Sequence, residues 1–141
     1  MSKFINPEDY EASIHQEILS DLIRNDQEIL EICEDQAVEE MKGYLSGRYD
    51  CSKIFGAVGE ERHPLVLMMV KDIALYHIFS IHNPRNMSEI RVNRYERACQ
   101  WMKDVQKGVV SVPDLPKLET EQAAATSLVQ IRSNKKRINH I

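Results

Sequence analysis

The run Pro64-Leu-Val-Leu-Met-Met-Val-Lys-Asp-Ile-Ala-Leu-Tyr-His-Ile-Phe-Ser-Ile-His82 decides how the rest of the chain is read. Pro64 suits the first position of a helix, where a missing N–H costs nothing. Between Leu65 and Phe79 the polar side chains are Lys71, Asp72 and His77. A helix that is apolar on nearly every side is one that other elements surround. The run is too long for a strand, and its Ala, Leu and Met favour helix. Lys71 and Asp72 interrupt it short of the ~20 unbroken apolar residues of a membrane span, so no membrane partner is expected. The stretch is therefore expected to be the buried central helix of an all-α domain.

Before it, Asn6-Pro7-Glu8-Asp9 has the form of a helix start, with an Asn cap, Pro in the first turn and two acids at the positive dipole end. Tyr10 and Ile14 are expected to face inward. A further amphipathic piece runs over residues 15–23 through Ile18, Leu19, Leu22 and Ile23. Asn25-Asp26 ends it, and Asp26 is placed to cap the next helix. From residue 27 to about 48, Leu30, Cys33, Ala37, Met41, Tyr44 and Leu45 recur at steps of three and four, which marks an amphipathic helix. Its outer face is expected to carry Glu28, Glu31, Glu34, Asp35, Glu39 and Glu40. Gly43, unfavourable inside a helix, is expected to permit close helix approach.

Residues 50–63 lack periodicity and read as a loop, with Ile54 and Phe55 packing inward. Asn83-Pro84-Arg85-Asn86 stops the central helix. Ser88 or Asn86 caps a last helix to about Lys107, with Gly108 as the residue just past its end. Tyr95, Ala98, Cys99, Met102 and Val105 form its inward face, and Trp101 lies off that line. Together these segments predict a small bundle of four to five helices over residues 1–111. Residues 112–141 read as an extended C-terminal docking tail, too polar to bury enough surface by themselves.

The net charge of −4 conceals a polarity. Residues 1–40 hold twelve acidic and two basic side chains, whereas residues 131–141 hold four basic ones and no acid. Lys71 and Asp72 within the apolar helix read either as a partly exposed edge or as an inter-subunit salt bridge. His77 and His82 are five apart and do not share a helical face. Cys33, Cys51 and Cys99 have no ligand spacing, and no H-x-x-x-H, H-E-x-x-H or phosphate loop occurs. Neither catalytic residues, cofactor nor metal are expected. Lys135-Lys136-Arg137 raises nucleic-acid binding as an alternative function, a small nucleic-acid-associated or regulatory helical protein using its basic end. The acidic body and the tail's lack of interleaved aromatics count against it.

Four segments, in order, carry a resemblance. They are Asn6-Pro7-Glu8-Asp9-Tyr10; Ala37-Val-Glu-Glu-Met-Lys-Gly-Tyr-Leu-Ser-Gly-Arg-Tyr-Asp50; Asp72-Ile73-Ala74; and Arg94-Tyr95-Glu96-Arg97-Ala98-Cys99-Gln100-Trp101-Met102. The chain resembles the Mu-like phage head–tail joining family of head-completion or connector adaptors. Its 50–63 segment is longer than the family's usual short link, and the chain beyond Pro113 is an extension. The resemblance implies a non-enzymatic virion protein at the head–tail interface, present in the host cytoplasm during assembly. It implies a homo-oligomeric ring, commonly dodecameric, that contacts the portal protein on one side and a tail or stopper protein on the other. Double-stranded DNA would pass through without specific binding. Candidate assembly contacts are Arg48, Tyr49 and Trp101 on the body, and Leu128, Val129, Ile131, Arg132, Lys135, Lys136 and Arg137 in the tail.

Overall fold

The computed structural model describes residues 4–12, 14, 18, 19, 27–82 and 84–118. Among them are four α-helices: α1 (Gln27–Leu45), α2 (Cys51–Gly56), α3 (Pro64–His82) and α4 (Glu89–Lys107). Short 3-10 turns occupy Pro7–Ala12, Gly59–Glu61 and Pro84–Asn86. No strand is present among the described residues; an isolated bridge joins Tyr49 to Lys117. The fold is an all-α bundle, as the periodicity predicts.

α3 is the element the others enclose. Residues 69–75 are buried without interruption, so every face of two successive turns is covered. α1 and α4 both pack on α3 and also on each other. Although α3 is long and apolar enough to span a bilayer, its central turns are covered by protein. α3 and α4 form an antiparallel hairpin. Tyr76 stacks on Tyr95 with centroids 3.9 Å apart, and one turn earlier on α3 Asp72 meets Arg97 further along α4. Ser88 caps α4 by accepting the Arg91 amide at 3.2 Å. Gly108 ends it at φ 80°, donating to the Asp104 and Val105 carbonyls.

Lys71 and Asp72 are neither an edge nor an inter-subunit bridge. Both are buried, and both find partners in the same chain. Lys71 Nζ donates to the Asp9 carbonyl at 2.9 Å, and Asp72 Oδ2 accepts from Arg97 at 2.7 Å. A charge inside a core is tolerable when paired in this way.

Other departures have local causes. Glu34 belongs to the interior rather than the outer face of α1, because the Tyr10 hydroxyl donates to its carboxylate at 2.6 Å. Gly43 approaches nothing; a Cβ there would have no neighbour within 4 Å. Part of the 50–63 segment is helical because Asp50 caps α2, accepting the Lys53 amide at 3.3 Å. Ile54 and Phe55 do pack inward, Phe55 edge-on to Phe4 at 5.1 Å. The opening turn is 3-10 rather than α-helical. Of the piece expected over residues 15–23, Ile18 and Leu19 alone are among the described residues; both are helical, and Leu19 is buried.

Candidate assembly surface

The site is built at the end of the bundle where α1 and α4 terminate. Past Gly108 the sequence Val-Val-Ser-Val-Pro cannot continue a helix, and the chain turns back along the body. Val112 and Leu115 enter the core. The Val112 amide donates to the Tyr49 hydroxyl at 3.1 Å, and His63 Nε2 lies 3.0 Å from the Pro113 carbonyl. The Asp50 amide donates to the Pro116 carbonyl at 2.9 Å, and the Leu118 amide reaches the Arg48 carbonyl at 3.4 Å. Residues 112–118, expected to be part of a tail, are thus fastened to the helical domain by backbone pairing and two apolar anchors.

Arg48 closes the same corner. Its Nε donates to the Gln106 carbonyl at 3.0 Å, and its guanidinium occupies the space over Gly108. Beside it lies a cavity of about 180 Å³ lined by Arg48, Tyr49, Gly108, Val110, Ser111 and Lys117. Two cations and two hydroxyls border this space, with no carboxylate among them, so its chemistry suits an anionic side chain. A second cavity, of about 260 Å³, lies along the seam where Leu115 and Pro116 meet Ile54, Arg62 and His63.

The opposite charge is displayed on α1. Glu28, Ile32, Asp35 and Glu39 succeed one another at helical steps on the side away from Leu30, Cys33, Ala37 and Met41. Ile32 is 49% exposed within that stripe, whose Glu39 also pairs with Lys42 one turn further on, at 3.7 Å. The net acidity read from the sequence is therefore gathered, in part, on one helix face.

The N-terminal segment is locked down by a different set of ions. Arg62 forms two bonds to Asp9, at 2.5 and 3.0 Å, and also donates to the Phe4 and Gly59 carbonyls. Burial alone would raise the Asp9 carboxyl, but the Arg62 bond, the Asn6 amide and the charges of Arg62 and Lys71 outweigh it and hold Asp9 below its ordinary range. Nearby, burial pushes Glu34 up to about 7; Glu31, Asp35 and Asp9 add to the rise, and the Tyr10 bond offsets part of it. Burial and the same carboxylate raise Tyr10, so the phenol remains the donor.

His77 and the three cysteines pack against neighbouring groups. His77 lies edge-on to Tyr76 and Tyr95, with Nε2 3.5 Å from Glu40. Burial raises all three cysteine thiols, which suits packing better than nucleophilic attack. Arg91, off the Ala98–Met102–Val105 line of α4, is buried all the same, with its guanidinium 5.3 Å from the Phe79 ring centre.

The candidate contacts therefore separate. Arg48 is exposed and borders the cationic cavity. Tyr49 is 4% exposed and holds the returning chain through its hydroxyl. Trp101 is half-buried against the core. Leu128, Val129, Ile131, Arg132, Lys135, Lys136 and Arg137 lie outside the described residues. Lys117 was not singled out in the sequence; a lone Lys in a linker-like run carries no signal until the fold sets it beside Arg48.

Comparison with known proteins is specific at one level. No curated protein sequence and no solved structure matches this chain. A family model described as Bacteriophage Mu, Gp36 matches residues 4–131, which takes in the whole bundle, the return and the apolar part of the tail. The chain accordingly belongs to the bacteriophage Mu Gp36 family of phage proteins.

Proposed function

We propose that this phage protein is a structural adaptor that assembles as a ring between the portal of the filled capsid and the tail. The observation that carries the reading is the fastening of residues 112–118. It gives the basic, partly apolar residues 119–141 a fixed point of departure beside Arg48, from which they reach a neighbouring subunit or the portal. The family match supports the phage context and extends as far as Ile131, so it includes Leu128 and Val129.

A ring of identical subunits needs two different patches that complement each other. The chain has patches of opposite sign, a basic rim with a basic tail and an acidic helix face. Apolar tail residues supply burial, and the Lys and Arg side chains set register and direct encounter. DNA passes such a conduit without being held, because the acidic body offers phosphates few counter-charges. The adaptor acts at the head–tail interface of the virion after assembling in the host cytoplasm, and it requires no cofactor or catalysis.

Negative-stain imaging of the full chain mixed with the portal protein of the same phage tests this reading. An annular layer stacked on the portal is expected. Bare portal particles, with the chain remaining a monomer that retains duplex DNA in a salt-dependent way, would instead favour a nucleic-acid-associated protein.

A further inference from the structure

Three features share one rim at the Arg48 end of the bundle. The first is the cavity bordered by Arg48, Lys117, Ser111 and Tyr49. The second is Val109, next to Gly108, which at 73% exposure is the most exposed large apolar side chain among the described residues. The third is the departure of residues 119–141, since the Leu118 amide bonds the Arg48 carbonyl. A rim with two cations bordering its cavity and an uncovered valine next to Gly108 resembles half of a contact. Its complement is on α1, where Ile32, also uncovered, lies one turn from Asp35 and two from Glu39. On the same side of α1, Gly43 leaves open space where another chain can approach.

We propose that this rim docks on the outer face of α1 of a second copy of the chain. Arg48 and Lys117 of one subunit receive Asp35 and Glu39 of the next, and Val109 packs on Ile32. This rests on the ring-forming reading and specifies which faces close the ring. The sign of the charges selects the pairing. Rim against rim, or α1 against α1, would oppose like charges, whereas rim against α1 satisfies both. The two patches differ, so the contact is heterologous and every copy keeps one free partner of each kind until the ring closes.

Sedimentation velocity on the full chain, at low and at high salt, tests the contact with two charge-reversed variants. One carries Arg48→Glu with Lys117→Glu, the other Asp35→Lys with Glu39→Lys. Each alone is expected to self-associate about tenfold or more weakly than the wild type, and the loss shrinks at high salt. An equimolar mixture of the two is expected to recover assembly, because each variant's altered patch now complements the other's. Wild-type assembly with undiminished assembly of both variants would overturn this contact and leave the ring reading standing. Variants that weaken assembly but do not recover when mixed would overturn the pairing of these faces. A wild type that stays monomeric, with and without portal, would overturn both. Duplex DNA held by the wild type and released by the Arg48 and Lys117 variant, with self-association unchanged, would assign the rim to phosphates. Circular dichroism confirms that each variant is folded; should the paired rim variant lose helicity, Val109→Asp serves as the rim variant.

Discussion

The Arg48 guanidinium lies directly over Gly108, so close that a Cβ on the glycine would come within 2.7 Å of an Arg48 nitrogen. The end of α1 and the end of α4 are thereby tied at a point where the backbone is left-handed, at φ 80°. Any side chain there must both adopt that conformation and displace Arg48.

Two glycine substitutions should consequently have opposite signs. Gly108→Ala is expected to destabilise by about 1–2 kcal/mol through the left-handed strain alone, with displacement of Arg48 added. Gly43→Ala, in an open and exposed part of α1, is expected to stabilise by about 0.5–1 kcal/mol because it removes glycine's helix penalty. Urea denaturation of the two variants checks both; a stabilising Gly108→Ala would contradict the corner described here.

Tyr49→Phe removes the acceptor of a buried amide while keeping the ring. A buried donor left unpaired costs about 1–3 kcal/mol. Since Tyr49 holds Val112, hydrogen exchange in residues 112–118 should accelerate more than exchange in α3. Equal acceleration everywhere would mean that the return is not a separately opening unit.

Glu34 predicts a slope of stability with pH. Burial raises its carboxyl from 4.5 to about 7, so the folded chain holds this proton more tightly than the unfolded chain. The favourable contribution is complete below about 4.5 and is lost as pH rises through about 7. Wild type should therefore gain on the order of 2 kcal/mol on going from above this window to below it. Glu34→Gln keeps an acceptor for Tyr10, and should flatten that slope and be the more stable form at alkaline pH. Thermal melts across the window, wild type against variant, isolate the effect from the histidines.

Asp9 acts in the opposite sense. Its carboxyl is held below 3.8, so its contribution is present above that value and disappears as pH falls through the lower, folded value. Arg62→Met leaves Asp9, with 14% of its side chain exposed, without its main partner. The expected cost is about 3 kcal/mol, measured by denaturant unfolding. Asp9→Asn combined with Arg62→Met should cost less than the sum of the separate changes.

Much of the bundle is legible because burial imposes periodicity. Leu30, Cys33, Ala37, Met41 and Leu45 on α1, and Ala98, Met102 and Val105 on α4, are buried where their spacing puts them. Ser88 and Gly108 mark the ends of α4 through local chemistry alone. What periodicity does not carry is pairing between distant parts of the chain. Glu34 looks like one more surface acid until Tyr10, twenty-four residues away, is seen to bond it. Lys71 and Asp72 become core residues for the same reason, through Asp9 and Arg97. The return of 112–118 is equally long-range: Tyr49 and Val112 are sixty-three residues apart. The basic rim is legible only afterwards, since Arg48 and Lys117 become neighbours through that return.

The role of residues 119–141 is read by comparing the full chain with a version ending at Leu118, each incubated with portal protein and weighed by native mass spectrometry. Both should unfold cooperatively, because the described core and the fastened return are present in each. The full chain should give a closed oligomer on the portal, and the shortened chain should give monomers or incomplete rings. Identical closed rings from both would contradict the claim that residues 119–141 secure the subunit to its neighbours.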